Sequence, residues 1–175
     1  MKRQLPFALK ERFDGLPRQK DPTSMLIAVA RSCVGINMQQ NQDIVALFES
    51  TISRPLGQSW CLDFIQSCIA YVEQTFGIAS PLAATELCMN LWDTAPAQCK
   101  VDRKPGDLII WQLNDSIHGH VGMYLSEDAN LYQTVEGNTS PAHYLENHGD
   151  GVYLKNRSKG GSETFKELGF LRVFP

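Results

Sequence analysis

The spacing of hydrophobic residues along this chain changes from a helical period to a strand period about halfway. Up to Leu91, apolar residues recur every three or four positions, which predicts amphipathic helices. Asp21-Pro22 and Ser80-Pro81 each offer an N-cap followed by a proline at the first helical position. The pattern predicts four helices, from Asp21 to about Gly35, over 42–51, from Cys61 to about Gly77, and from Ser80 to about Leu91.

The second half of the chain carries short apolar runs bounded by turn residues, which predict strands. Residues 156–162 are polar and include two adjacent glycines and Lys159, so we expect a flexible loop there. Helices followed by strands predict an α+β fold in which the N-terminal helices pack on a C-terminal antiparallel sheet. The predicted strands cover 108–113, 120–125, 131–136, 151–155 and 169–174.

Length and composition indicate one ordinary globular domain. The chain has 175 residues, of which 43% are hydrophobic and 20% charged. Its net charge of -3 argues against a nucleic acid as the main partner. The first twenty residues are an exception because they are basic. We expect residues 1–20 to form a solvated arm and residues 21–175 to form the folded domain.

No segment predicts insertion into a membrane. The longest apolar run, 25–30, is too short to span a bilayer and is followed by Arg31. The basic start lacks an apolar region behind it, so we expect no secretion signal and synthesis in the cytoplasm.

The five cysteines are odd in number and lack paired spacing, which favours reduced thiols over a disulfide framework. Nor do cysteines and histidines show the spacing of zinc ligands. We therefore expect no metal and no cofactor.

Of the five cysteines, Cys61 lies at the position that most favours a reactive thiol. It lies in the first turn of a predicted helix, where unpaired N–H groups stabilise an anion. A helix terminus supplies up to about 2 kcal/mol, whereas lowering a cysteine pKa from about 8.5 to about 6 requires roughly 3.4 kcal/mol. A cationic partner would have to supply the difference. The alternative is that Cys61 only begins the apolar stripe of its helix, whose opposite, solvated face we expect to carry Asp63, Gln66, Ser67, Glu73 and Gln74.

Histidine is the residue that could activate such a thiol. His120 begins a regular apolar run and is the better candidate, since His118 lies before that run with Ser116 and Gly119. The next predicted strand ends in Glu136-Gly137-Asn138, and either polar side chain could accept a hydrogen bond from the imidazole.

Four motifs occur in a fixed order: Trp60-Cys61, then Lys-Pro-Gly-Asp-Leu over 104–108, then His-Val-Gly-Met-Tyr over 120–124, then Glu-Gly-Asn over 136–138. From about Asp21 to the C-terminus the chain thereby resembles the CHAP family of cysteine, histidine-dependent amidohydrolases/peptidases, which are papain-like and related to NlpC-type peptidoglycan peptidases. The resemblance implies that Cys61 is the nucleophile, His120 the general base and Glu136 the residue that orients it. Asn138 resembles the fourth, polar position of the family's site.

Two features depart from the family pattern. Many members have a glutamine directly before the cysteine, whereas here Trp60 occupies that position and Gln58 lies earlier. The oxyanion donor is therefore either Gln58 or the backbone N–H of Cys61. The acidic calcium loop of some phage lysins is also missing before Cys61.

The resemblance also implies a substrate, the amide bonds of peptidoglycan peptide stems. It leaves open an N-acetylmuramoyl-L-alanine amidase or a peptide endopeptidase, acting as a phage lysis or tail enzyme or as an injected antibacterial effector. The protein would then act in the periplasm or cell wall after release or delivery, or within a virion. An immunity protein, a holin or a secretion machinery would be its further partners. The alternatives are a non-catalytic structural phage protein and a cysteine peptidase or deamidase acting on a protein.

Some aromatic and histidine residues have two interpretations. Trp60 and Trp111 either line a substrate groove or pack in the core, and packing is favoured for both. His143 and His148 lie in a polar stretch that predicts a surface position. The cysteines other than Cys61 are expected to be small core residues: Cys33, Cys68, Cys88 and Cys99.

Overall fold

The computed structural model describes residues 2–52, 59–141 and 149–175. Within these ranges the fold is α+β, as predicted, with five helices followed by a six-stranded antiparallel sheet of order β1-β6-β2-β3-β4-β5. No helix in the described ranges is long and apolar enough to cross a membrane. The elements are α1 Phe7–Asp14, α2 Pro22–Ser32, α3 Gln42–Ser50, α4 Cys61–Phe76, α5 Cys88–Thr94, a short 3-10 helix Ala97–Cys99, β1 Lys100–Val101, β2 Leu108–Leu113, β3 Gly119–Glu127, β4 Leu131–Thr139, β5 Gly151–Ser158 and β6 Phe165–Leu171.

The two faces of the sheet are packed differently. Side chains alternate between faces along a strand. Val121 and Met123 of β3 therefore join the large core that the sheet forms with the helices. Tyr124 points to the opposite face, where it belongs to a second, aromatic cluster that also contains Trp111. His120 shares the face of Tyr124 and stacks on Trp111.

Helix α4 is the centre of the helical layer. It packs against α2, α3, β3 and β4, and all of its residues from 61 to 72 are buried. The predicted solvated face is therefore wrong for Asp63, Gln66 and Ser67. For Gln66 and Ser67, hydrogen bonds replace water: Gln66 accepts one from Arg3, and the Ser67 hydroxyl bonds that of Thr51.

Two helix ends are capped by local chemistry, and one predicted helix start is not a helix start. Asp21 caps α2 by accepting a hydrogen bond from the Ser24 N–H at 2.8 Å, and Gly77 ends α4 in the left-handed region with φ 64°. The helix predicted from Ser80 is wrong, since α5 begins only at Cys88. Ser80 instead donates to the Val173 carbonyl at 2.8 Å, which ties this segment to the C-terminal end of the chain.

Strand β5 extends through part of the predicted loop. Asn156, Arg157 and Ser158 continue the antiparallel pairing with β4, and β6 begins at Phe165 instead of 169. The side chains there are polar, but strand pairing is made by backbone hydrogen bonds. Polar side chains on neighbouring strands can also lie opposite one another. The extension places Arg157 on the sheet.

The basic N-terminal segment is not a solvated arm. Residues 7–14 form α1, whose Leu9 and Phe13 are buried in the main core. Arg3 forms a hydrogen-bonded ion pair with Glu73 of α4 at 2.9 Å. The segment folds onto the domain because Leu9 and Phe13, four residues apart, lie on the same side of α1, which net charge does not reveal.

Substitutions of the two phenylalanines of α1 test this packing. Phe13→Ala should lower the free energy of unfolding by about 3–5 kcal/mol, because Phe13 is completely buried. Phe7→Ala is the matched control on the same helix and should change it by less than about 0.5 kcal/mol, since Phe7 is 73% exposed. Urea denaturation followed by circular dichroism measures both. Equal, small effects would show that α1 does not belong to the core.

Candidate active site

Cys61 is the first residue of α4 and is almost completely buried, with 3% of its surface exposed. The helix begins where the Phe64 N–H donates to the Trp60 carbonyl at 3.1 Å. The Cys61 thiol has two side-chain partners, the His120 ring and the thiol of Cys88, whose sulfur lies 3.9 Å away. The nucleophile predicted from the sequence therefore lies beside the predicted base.

His120 lies in β3, opposite Trp111 of β2, and the two rings stack at a centroid distance of 5.9 Å. Its Nε2 shares a hydrogen bond of 2.9 Å with a carboxylate oxygen of Glu136. The other ring nitrogen, Nδ1, is buried and has no hydrogen-bond partner among the described residues. Because Nε2 is bonded to Glu136, Nδ1 is the nitrogen available to the Cys61 thiol, which interacts with the ring and helps to raise its pKa. The carboxylate thus fixes one side of the ring.

Glu136 lies in β4 and is completely buried. Its carboxylate accepts hydrogen bonds from Thr134 Oγ1 at 2.5 Å, from Arg157 Nε at 2.9 and 3.1 Å, and from a second guanidinium nitrogen of Arg157. Gly122 leaves the room for this carboxylate, because a Cβ at that position would lie 2.9 Å from Glu136 Cγ. Thr134, two residues earlier in β4, and Arg157 of β5 therefore hold the carboxylate in position.

Charges alternate along this buried chain of groups. Burial raises the pKa of Glu136, but hydrogen bonds from Arg157 and His120 outweigh it and hold that pKa at about 2. Burial lowers the pKa of His120, but its interactions with Cys61 and Glu136 outweigh it and raise that pKa to about 9. At neutral pH, Glu136 is an anion and His120 a cation.

The Cys61 thiol is the last group of this series. Its interactions with the Cys88 thiol and with His120 hold its pKa well below the ordinary value of a cysteine, against the opposing effect of burial. A thiolate beside an imidazolium is the resting form of an activated cysteine nucleophile. The group can attack an electrophilic carbon, and the imidazolium can then give a proton to a leaving group.

Asn138 lies two residues beyond Glu136, near the irregularity in the β4–β5 pairing between Glu136 and Thr139. It is buried, its φ of 53° is in the left-handed region, and its carbonyl accepts a hydrogen bond from the Gly149 N–H at 3.0 Å. The carboxylate of Glu136 is the described partner of His120 Nε2. Of the two orienting residues that the sequence left open, the geometry therefore favours Glu136.

The two tryptophans are core residues, and the groove interpretation is wrong for both. Trp60 is 2% exposed and stacks on Phe48 at 6.1 Å, while Trp111 is fully buried against His120. The large apolar area of indole favours such packing next to a helix start and beneath a ring. Three residues discussed from the sequence lie outside the described residues: Gln58, His143 and His148.

Two residues of the site were not identified from the sequence. Cys88 has the composition of a core residue, and only the fold places its thiol at the nucleophile. The sequence places Arg157 in a predicted loop. The two-residue spacing of Lys155 and Arg157 is typical of one face of a strand, and both are buried in β5. A buried carboxylate requires a cation, so this spacing could have indicated a partner for Glu136.

Comparison of the sequence with protein-family models and with curated proteins gives no significant match. The resemblance to CHAP enzymes therefore stays a prediction from the four motifs.

The charge of His120 is open to direct measurement. We expect its imidazole to remain protonated at pH 7 and to lose its proton near pH 9. Cys61→Ala should lower that midpoint, because the ring then loses the anion next to Nδ1. Nuclear magnetic resonance of ¹⁵N-histidine follows the titration, and the His118→Ala variant separates the signal of the neighbouring, exposed imidazole. A wild-type midpoint at or below about 6.5 would contradict the charge assignment.

Proposed function

We propose that this protein is a cysteine amidohydrolase in which Cys61 is the nucleophile, His120 the acid–base residue and Glu136 the residue that orients His120. The observation that supports this most is the contact of three side chains from α4, β3 and β4, in the order thiol, imidazole, carboxylate. The thiol is at the start of a buried helix, where the helix dipole adds to the effect of the imidazolium. This combination is the general requirement for nucleophilic catalysis by cysteine.

The reaction would proceed in two halves. The Cys61 thiolate attacks the carbonyl carbon of the amide, and the backbone N–H of Cys61 is the candidate donor to the developing oxyanion. The Nδ1–H of His120 then protonates the amine as the C–N bond breaks, which leaves a thioester on Cys61. Neutral His120 next removes a proton from water, whose oxygen attacks the thioester. The acid leaves, and Cys61 returns to the thiolate as His120 regains its charge.

Glu136 orients His120 without exchanging protons. Its pKa of about 2 means that it remains an anion throughout. Its bond to Nε2 directs Nδ1 at the sulfur, and its charge stabilises the imidazolium. Arg157 and Thr134 in turn hold the carboxylate.

The substrate class we propose is the amide bonds of bacterial peptidoglycan, cut between glycan and peptide or within the peptide stem. The basis is the order of the four motifs together with a nucleophile helix packed against the sheet strand that carries the base. That arrangement is also what a papain-like, CHAP-type domain would have. The proposed site of action is the periplasm or cell wall, reached by phage lysis, by a phage tail or by injection as an antibacterial effector.

Digestion of purified sacculi tests the function. Cys61→Ala and His120→Ala should each reduce the release of soluble muropeptides by about a thousandfold or more, because each removes a member of the catalytic set. Mass spectrometry of the products identifies the bond, since each cleavage creates a new free amine.

Two matched controls separate chemistry from folding. Cys33→Ala removes a buried thiol whose pKa is raised to about 12 by burial, and His118→Ala removes an exposed imidazole two residues from His120. Both variants should keep wild-type activity. Retained activity in Cys61→Ala, or intact sacculi with the wild-type protein, would contradict the proposal. Cleavage or deamidation of a protein by wild type alone would instead indicate the protein-directed alternative.

A further inference from the structure

We propose that Cys88 is a positioning residue of this site, and that its S–H donates a hydrogen bond to the Cys61 thiolate. The inference rests on the proposed function in that it takes Cys61 as the nucleophile. It adds a fourth side chain, from α5, to the three that the sequence motifs identify.

The placement of Cys88 is fixed by the sheet. It is the first residue of α5, which packs on β2 and β3, and its sulfur lies 3.9 Å from that of Cys61, within the range of a sulfur hydrogen bond. A Cβ on Gly119 would lie 3.4 Å from the Cβ of Cys88 and 2.3 Å from the Trp111 carbonyl oxygen. Cys88 is therefore held against the strand that carries His120, one residue before it.

Charge decides which sulfur is the donor. A thiolate only accepts, so a proton between the two sulfurs must belong to Cys88. The Cys61 anion, together with burial and the nearby charge of Asp63, raises the pKa of Cys88 well above the ordinary value. Both cysteines are 3% exposed, so the bond between them is largely shielded from solvent.

The other charged groups around Cys61 define its surroundings. His120 reaches it from β3, and Asp63 lies two residues further along α4. Glu136 of β4 and Arg157 of β5 act through the imidazole. Cys88 supplies a hydrogen bond without adding a charge.

This second donor matters when His120 has given up its proton. At the thioester stage the imidazole is neutral, and as water attacks, the Cys61 sulfur must leave as an anion. Cys88 keeps its proton throughout and is already directed at that sulfur. A thiol of lower pKa leaves faster, so Cys88 should assist thioester hydrolysis as well as formation of the resting thiolate.

Alkylation of Cys61 by iodoacetamide, measured against pH on the full chain, tests the proposal without any substrate. Peptide mass spectrometry separates Cys61 from the other thiols. Cys88→Ala should raise the pH midpoint of the rate by about one pH unit, which corresponds to about tenfold less thiolate below the midpoint. Cys88→Ser keeps a donor and should restore most of the wild-type profile. Cys33→Ala, a matched loss of one buried thiol, should leave it unchanged.

Two results would overturn the proposal: an unchanged midpoint in Cys88→Ala, or a midpoint in Cys88→Ser as high as in Cys88→Ala. Should Cys88→Ala fail to fold, the reciprocal experiment decides. Cys61→Ala should lower the midpoint for alkylation of Cys88, which loses its anionic neighbour, and an unchanged midpoint would overturn the proposal. If the alkylation midpoints are as expected but the wild-type protein does not digest sacculi, the proposed function is contradicted, whereas the hydrogen bond from Cys88 to Cys61 is supported.

Discussion

Glu136 is an ionised carboxylate at a position that water does not reach, and the site depends on how its charge is balanced. Removing an ion from water costs several kcal/mol unless partners compensate for it. Here two cationic side chains compensate: Arg157 bonds both carboxylate oxygens, and His120 bonds one of them, Oε2. Because His120 is drawn into its charged form, the pKa of the Cys61 thiol beside it is lowered as well. Arg157, Glu136, His120 and Cys61 thus depend on one another electrostatically.

The fold is organised so that each of these groups comes from a different element. Cys61 begins α4, His120 lies in β3, Glu136 in β4 and Arg157 in β5. Adjacent antiparallel strands bring the last three together, and Gly122 leaves space between them. The aromatic face with Trp111 closes the far side of the imidazole and excludes water from it. A low-polarity surrounding strengthens each of these electrostatic interactions.

Much of this could be predicted from the sequence, because its signals are local. The periodicity of 61–76 and the glycine at its end predict α4, and the position of Cys61 at its start follows from the same pattern. His120 and Glu136 were identified from strand starts and ends, which are also local features. The structure brings them into contact and selects Glu136 over Asn138 as the partner of His120.

What could not be predicted depends on partners distant in the chain. Gln66 is polar, yet it is buried because Arg3 bonds it from 63 residues away. Ser80 resembles a helix cap, but its hydroxyl donates a hydrogen bond to the Val173 carbonyl at the C-terminal end. Cys88 and Arg157 belong to the site only through tertiary contacts with Cys61 and Glu136. Composition alone describes each of them as core or loop.

The central claim, that Cys61 rests as a thiolate paired with a cationic His120, is tested most directly by the ultraviolet absorbance of the thiolate as a function of pH. The pKa values of Cys33, Cys68, Cys88 and Cys99 are all raised, so Cys61 alone should absorb near neutral pH. The account predicts the absorbance of about one thiolate per chain at pH 7, lost in Cys61→Ala and strongly reduced in His120→Ala. A wild-type protein whose thiolate absorbance develops only above about pH 8.5 would contradict it.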